Sequence, residues 1–236
     1  MPRADRHPGG AGRRFYGAVR FPLTRFANWA LDLRVTGQEN LPPAPYVIAA
    51  NHLSFVDPVL VSLAAGRNVR YLAVAGLFGR SRGFDRLISF FGAIPTPRDR
   101  APVSAVRAAI AELEAGYPVG VFPEGRRVER WGDETPQRGA AWLALATGVP
   151  LVPVAVFGSQ GTLGPLERTV RRTAVRMWVE TPLDPTSFLD HVDPVAAISV
   201  AWAESVAARL GPWWPAGREP DEERSPKGSG SEDGED

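Results

Sequence analysis

Short apolar runs alternate with longer amphipathic segments along most of the chain. Apolar runs bounded by turn residues predict buried strands, and segments that open near proline and close near glycine predict helices. The strands are predicted at Tyr46–Ala50, Arg70–Val74, Val119–Phe122, Leu151–Phe157 and Ala174–Glu180, and the helices at Asp57–Ala65, Asp85–Phe91, Pro102–Ala115, Arg138–Thr147 and Val195–Leu210. This alternation predicts an α/β fold with a mostly parallel central sheet flanked by helices.

The segment ahead of the first predicted strand is amphipathic at helical spacing. Arginines lie on the flanks of the helical wheel, and Pro22 is expected to kink the helix or to begin a second one. A basic helix with aromatic residues can lie in a membrane interface, but the same pattern suits a helix packed on the core of its own domain. The apolar face is predicted to contain Phe15, Tyr16, Val19, Leu23, Phe26, Ala27, Ala30 and Leu33.

Residues 139–166 carry no charged side chain, so they have to be considered as a membrane span. Gly148, Pro150 and Pro153 interrupt the stretch, and a single spanning helix disfavours such residues. We interpret the stretch as a helix that ends at Gly148, followed by a buried strand. No spanning helix is predicted.

The composition of the 236 residues, 44% of them hydrophobic, fits one soluble domain with short appendages. The net charge of +1 is unevenly distributed, because residues 1–35 carry seven arginines against two aspartates and residues 217–236 carry three basic against eight acidic side chains. The absence of cysteine excludes disulfides and thiol catalysis. The arginines are dispersed and no recognition motif is present, which argues against nucleic-acid binding.

A histidine and an aspartate follow the first predicted strand. His52 lies where the apolar run ends, and Asp57 lies five residues later at the start of a predicted helix. A carboxylate at this distance can accept the Nδ1 proton of the imidazole and leave Nε2 available as a base. Asp57 would equally suit a helix N-cap, and the pair alone is a weak signal.

Another predicted strand ends in the sequence FPEGRR, residues 122–127. Gly125 would allow a ligand to approach the backbone closely, and Arg126 and Arg127 could grip a phosphate. The same charges would also suit a solvated turn. Two further blocks are GAIPTPR at 92–98, which ends on Arg98, and the apolar VPLVPV at 149–154, which contains Pro153.

Together with NHLSFVD at 51–57, these blocks have a fixed order that resembles the signature of a known family. The family is the glycerolipid acyltransferases typified by 1-acylglycerol-3-phosphate O-acyltransferase, and the resemblance covers about residues 40–180. Acyltransferases built on a His-x3-Asp spacing are disfavoured, because the spacing here is four and the other three blocks match the first family.

The resemblance implies a role for each matching residue. His52 would be the general base and Asp57 would orient it, with direct acyl transfer and no acyl-enzyme. The family's third block usually continues Thr-Arg-Ser, whereas Arg126 and Val128 replace the hydroxyl residues here, which leaves the acceptor headgroup open. The residues implied to bind the acceptor are Arg98, Glu124, Gly125, Arg126 and Arg127, and those implied to lie near the site are Asn51, Ser54, Pro123 and Pro153.

The implied reaction moves an acyl group from acyl-CoA or an acyl carrier protein to the sn-2 hydroxyl of 1-acylglycerol-3-phosphate, giving phosphatidic acid for phospholipid biosynthesis. It implies no cofactor and no metal, and a peripheral or monotopic protein at the cytoplasmic face of the cell membrane. The alternatives are another lysolipid or an amino-acid lipid as acceptor, or an inactive peripheral membrane-binding homologue. The expected segments are a flexible N-terminus (1–12), an amphipathic membrane-associating helical segment (13–40), an acyltransferase domain (41–211) and a disordered acidic tail (217–236).

Overall fold

A computed structural model describes residues 10–74, 92–96, 102–162 and 172–212. In these residues seven strands form one sheet, in the spatial order β1-β7-β6-β2-β5-β3-β4. The strands are β1 Arg34–Thr36, β2 Val47–Ala50, β3 Arg70–Val74, β4 Ala93–Thr96, β5 Val119–Val121, β6 Leu151–Phe157 and β7 Arg176–Val179. The helices are α1 Gly10–Leu31, α2 Asp57–Ala65, α3 Pro102–Glu114, α4 Gly139–Thr147 and α5 Pro194–Leu210, with short 3-10 turns at Gln38–Asn40, Ser159–Gly161 and Pro185–Phe188.

The sheet is mostly parallel, as predicted. Strands β2 to β6 run in one direction, whereas β7 is antiparallel to β6 and β1 is parallel to β7. Because β2 lies between β5 and β6, the segments that follow these three strands emerge at the same edge of the sheet. Ligand sites of open α/β sheets form at this edge, beyond the carboxyl ends of the strands.

The core has two parts, one on each side of the sheet. Successive side chains of a strand point to opposite faces, so each buried strand contributes to both parts. The part against α1 and α2 contains Leu31, Ile48, Leu60, Val154 and Met177 among others. The part against α3, α4 and α5 contains Val47, Leu113, Ala144, Ala155 and Trp202 among others. The molecule is therefore a three-layer α/β/α sandwich.

Two strands are not among the predicted ones, and both lie at sheet edges. Strand β1 has only three residues, too few for a periodic pattern to emerge. Strand β4 contains Pro95, which cannot donate a ladder hydrogen bond and is tolerated at an edge. The other predicted strands and helices occur within two residues of their expected ends, except for the helix at Asp85–Phe91, which lies outside the described residues.

Helix α1 follows its prediction in part. It continues through Pro22, so no second helix begins there. Its predicted apolar face is confirmed at Leu23, Ala27 and Ala30, which pack on the core, and wrong at Phe26, which is 59% exposed, together with Phe21 (67%) and Trp29 (68%). The side chains of Phe15, Tyr16 and Val19 lie outside the described part of the structure. Consecutive residues of a helix lie 100° apart, so Phe26 falls outside the arc that contacts the core. The described part of α1 thus has an inner apolar face on the core and an outer aromatic face in solvent.

No helix in the described ranges is both long and apolar enough to cross a lipid bilayer.

Candidate active site

The loop of residues 51–57, here called the histidine loop, begins with an asparagine that continues the pairing of two strands. The Asn51 amide nitrogen donates to the Val156 carbonyl oxygen at 2.9 Å, and the Val156 N–H donates to Asn51 Oδ1 at 2.7 Å. The fully buried side chain of Asn51 thus takes the place of a backbone partner for β6, just beyond the end of β2. The chain is therefore fixed in position immediately before His52.

Asp57, which is fully buried, directs one oxygen at the loop that precedes it. Asp57 Oδ2 lies 2.9 Å from His52 Nδ1 and accepts hydrogen bonds from the N–H groups of Leu53 (2.7 Å) and Ser54 (2.6 Å). Asp57 is the first residue of α2 and Val56 occupies the N-cap position, so the carboxylate closes the loop rather than capping its own helix. An ionised carboxylate only accepts, so Nδ1 donates and Nε2 keeps its lone pair.

The loop of residues 122–128, here called the arginine loop, holds His52 from the other side. The His52 N–H donates to Glu124 Oε2 at 2.5 Å, and the Val128 N–H donates to the His52 carbonyl oxygen at 2.8 Å. The Phe122 ring stacks on the imidazole, with centroids 4.0 Å apart and an interplanar angle of 19°. The His52 side chain remains 17% exposed, so solvent or a substrate can reach it.

Glu124 is buried, with only 3% of its surface exposed. Burial raises the pKa of Glu124 to about 8, against the lowering effect of the hydrogen bond from the His52 N–H. The carboxyl group is therefore mostly neutral near pH 7. Its second oxygen, Oε1, is buried and has no hydrogen-bond partner within the described part of the chain. Glu124 thus supports the backbone of His52 without bringing a full negative charge to the site.

Arg127 brings a cation next to the histidine loop. Its guanidinium lies over the Phe55 ring, 3.1 Å from the centroid. Burial lowers the pKa of Arg127 and the Asp57 carboxylate opposes that effect, but a guanidinium stays protonated in proteins. Its Nη1 is buried and lacks a partner among the residues that the structure describes. The side chain can therefore still donate to an anionic ligand.

Arg126 points away from this arrangement. Its side chain is exposed and forms an ion pair with Glu134. Gly125 adopts φ +71° and its N–H closes a turn on the Phe122 carbonyl at 2.9 Å, so this glycine serves the turn itself. The Gln137 N–H donates to the Pro123 carbonyl at 2.7 Å and ties the arginine loop to the segment ahead of α4.

The remaining predicted residues are Ser54, Pro153 and Arg98. Ser54 is buried, and its hydroxyl donates to the Thr162 carbonyl at 2.7 Å. Pro153 is a buried strand residue of β6, in register with Ala49 of β2, and contributes to the sheet beneath the site. Arg98 lies outside the described residues.

Val128, which replaces a hydroxyl residue of the family's usual third block, has a buried side chain. Its N–H donates to the His52 carbonyl. The sequence analysis did not predict that Phe122 stacks on His52. The feature that could have indicated this contact is an aromatic residue at the end of a buried strand.

Comparisons with known proteins agree with this picture. A family model described as Acyltransferase matches residues 32–157. A chloroplastic 1-acyl-sn-glycerol-3-phosphate acyltransferase of Arabidopsis thaliana is 29% identical over 64% of this chain and 43% of its own length. The 1-acyl-sn-glycerol-3-phosphate acyltransferase of Borreliella burgdorferi is 30% identical over 55% of this chain and 52% of its own. The chain thus spans about half the length of these curated relatives.

The crystal structure of the 1-acyl-sn-glycerophosphate acyltransferase from Thermotoga maritima has the same fold. It superposes with a TM-score of 0.70, at 23% identity, over 86% of this chain and 81% of that one. The family model covers more than half of the 236 residues and includes His52, Asp57 and the arginine loop. The resemblance inferred from the four blocks is therefore confirmed, and the protein belongs to the Acyltransferase family.

Proposed function

We propose that the protein transfers an acyl group from an acyl thioester to the sn-2 hydroxyl of 1-acylglycerol-3-phosphate, giving phosphatidic acid. The observation that carries this proposal is the His52–Asp57 pair at the carboxyl end of β2, with Nδ1 engaged and Nε2 available. The names of the two curated relatives support the choice of acceptor.

The proposed reaction uses His52 Nε2, the ring nitrogen that is not bonded to Asp57. Nε2 removes the proton of the acceptor hydroxyl as that oxygen attacks the thioester carbonyl. The tetrahedral intermediate then collapses, the C–S bond breaks, and the thiolate takes the proton back from the imidazolium. Asp57 stabilises the imidazolium during the step, and a positioned general base contributes about 10²- to 10⁴-fold in rate. Ser54 carries the one hydroxyl side chain of residues 51–57; it is buried and donates to the Thr162 carbonyl, which supports direct transfer without an acyl-enzyme.

The acceptor phosphate would be held by Arg127 and, by resemblance, by Arg98. Arg127 has a buried N–H group available for a charge-assisted hydrogen bond. The neutral state of Glu124 suits an anionic headgroup, because a second negative charge beside it would repel the phosphate. The donor is acyl-CoA or an acyl carrier protein, and the proposed chemistry uses no cofactor and no metal.

We also propose that segment 13–40 binds the membrane that supplies the acceptor, from the cytoplasmic face. The outer face of α1 presents Phe21, Phe26 and Trp29, with the exposed Arg25 among them. Aromatic rings and arginines together favour the headgroup region of a bilayer with anionic lipids. Replacing the three aromatic residues by serine should reduce cosedimentation with anionic vesicles, whereas Leu189→Ser should not. Undiminished binding of the triple variant would contradict this role.

The same chemistry on another lysolipid or an amino-acid lipid is the second candidate. Arg126 favours it, because this cation replaces the usual threonine and lies exposed in the arginine loop. An inactive membrane-binding homologue is disfavoured, since the His52–Asp57 geometry is intact.

The test uses the purified full chain with acyl-CoA and acyl carrier protein donors and a panel of lysolipids in vesicles, with products identified by mass spectrometry. Phosphatidic acid should be the main product, and His52→Ala should lower its formation by at least about 100-fold. His191→Ala, an exposed histidine near α5, is the matched control and should leave the rate unchanged. Near-normal transfer by His52→Ala contradicts the mechanism, and turnover of other acceptors alone contradicts the choice of acceptor.

A further inference from the structure

Three rings form a stack that extends from His52 into the core. The Phe122 ring stacks on the imidazole, with centroids 4.0 Å apart, and is nearly parallel to the Tyr71 ring, with centroids 5.6 Å apart and an interplanar angle of 14°. Strand β5, which precedes Phe122, lies between β2, which precedes His52, and β3, which contains Tyr71. Tyr71 is a buried residue of β3 and belongs to none of the four sequence blocks. The neighbouring strand β5 leads directly into Phe122.

A glycine makes room for the Tyr71 ring. Gly120 of β5 is in register with Tyr71, and a Cβ atom at this glycine would lie 2.1 Å from Tyr71 Cε1 and 2.6 Å from Cδ1. Residues 120 and 122 point to the same side of the strand because side chains alternate. The tyrosine ring therefore occupies the space of the missing side chain, directly beside Phe122.

The stack supplies a restraint that the hydrogen bond to Asp57 lacks. A single contact at Nδ1 fixes one end of the imidazole but leaves the ring able to tilt about that contact, which would redirect Nε2. A flat aromatic face against the imidazole fixes the ring plane. Phe122 can provide such a face only if its own ring is held in place, and the nearly parallel Tyr71 ring packs against it.

We propose that Tyr71 is a positioning residue for the base, acting through Phe122, and that Gly120 is required to admit its ring. This inference rests on the proposed role of His52 as the general base. It goes beyond the four blocks, because it assigns part of the catalytic geometry to strand β3. The expected effect is on kcat, since the Tyr71 ring stacks on Phe122, and Phe122 in turn stacks on the imidazole of His52.

The first test compares two substitutions at Tyr71 with one at Tyr46, a fully buried tyrosine in the same part of the core. Tyr71→Leu removes the ring and should lower kcat about tenfold or more, because sub-ångström misplacement of a catalytic group is costly, with KM for the acceptor unchanged. Tyr71→Phe keeps the ring and should retain kcat. Tyr46→Leu should lower the melting temperature without lowering kcat. A folded Tyr71→Leu with wild-type kcat overturns the proposal.

The second test uses Gly120 and does not depend on the stability of Tyr71→Leu. Gly120→Ala should displace the tyrosine ring and lower both the melting temperature and kcat. Adding Tyr71→Leu removes the clash and should restore the melting temperature but not kcat, whereas restoration of kcat overturns the proposal. His52→Ala assayed in parallel separates the two failures. If His52→Ala is inactive and Tyr71→Leu is normal, only this inference fails, whereas an active His52→Ala contradicts the proposed function itself.

Discussion

The histidine loop and the arginine loop meet at the same edge of the sheet but are built differently. In the histidine loop, the buried Asn51 and Asp57 use their side chains to hold the loop itself in place. In the arginine loop, Glu124 and Val128 support His52, while Arg127 keeps a buried N–H group without a partner among the described residues. The histidine loop therefore fixes its own geometry, and the arginine loop combines support of His52 with the N–H group that we propose binds the acceptor.

Breaking the histidine loop should have the largest effect. In Asp57→Asn, an amide can present its NH₂ group to Nδ1 and favour the wrong tautomer, and it no longer stabilises the imidazolium. We expect kcat to fall by a factor on the order of 10² or more, with a small change in KM. Steady-state kinetics measures this, and Asp193→Asn, at the N-cap of α5, is the matched control. A loss of less than threefold would show that Asp57 is not needed to orient the base.

The protonation of Glu124 in the arginine loop can be tested through the pH dependence of the free energy of unfolding. The pKa of Glu124 is raised by burial to about 8, so between about pH 4.5 and 8 the folded state binds a proton that the unfolded state has lost. Its contribution to the free energy of unfolding is thus fully present below about pH 4.5 and falls by at most about 1.4 kcal/mol per pH unit up to about pH 8. Glu124→Gln removes this fall while keeping an acceptor for His52.

Urea denaturation of the wild type and Glu124→Gln between pH 5 and 9 measures that effect. The stability of the variant relative to the wild type should increase with pH and level off above about pH 8. If the difference in the free energy of unfolding between Glu124→Gln and the wild type stays constant with pH, Glu124 is ionised in the folded protein. The arginine loop would then present a negative charge beside His52.

The ligand-directed part of the arginine loop should respond more weakly and in a different parameter. Arg127→Ala should raise KM for a phosphate-bearing acceptor by about tenfold, the value of one charge-assisted hydrogen bond, with a smaller change in kcat. Arg126→Ala is the control, because Arg126 is exposed and paired with Glu134, and it should change KM less than threefold. A larger effect at Arg126 than at Arg127 would reverse the assignment of the two arginines.

Much of the fold could be predicted because its signals are local. The apolar runs of β2 and β6 and the Gly66 and Gly148 ends of α2 and α4 are each contained in a few consecutive residues. The His52–Asp57 pair is local too, since its members are five positions apart. The two faces of α1 were harder, because aromatic residues favour burial in a core and in a membrane interface alike, and the sequence does not state which arc contacts the sheet.

The rest of the site depends on contacts between distant segments. The hydrogen bond from His52 to Glu124 joins residues 72 positions apart, and the packing of Tyr71 against Phe122 follows from the register of β3 and β5. The hydrophobic pattern of the sequence does not reveal how β3 and β5 are aligned. The sequence therefore named His52, Asp57 and Glu124, but it did not reveal the contacts that join Glu124 to His52 and Tyr71 to Phe122.

Two side chains of the histidine loop are hydrogen-bonded to the same short segment, which includes the end of β6. Asn51 is tied to Val156 in β6, and Ser54 is tied to Thr162 just beyond the 3-10 turn that follows β6. These two anchor points are only six positions apart, so any displacement of the segment 156–162 would carry the loop along as a rigid body instead of distorting it. Strand β6 contains most of the apolar fourth block, which has no reactive group of its own. A strand without a reactive side chain thus determines the position of His52.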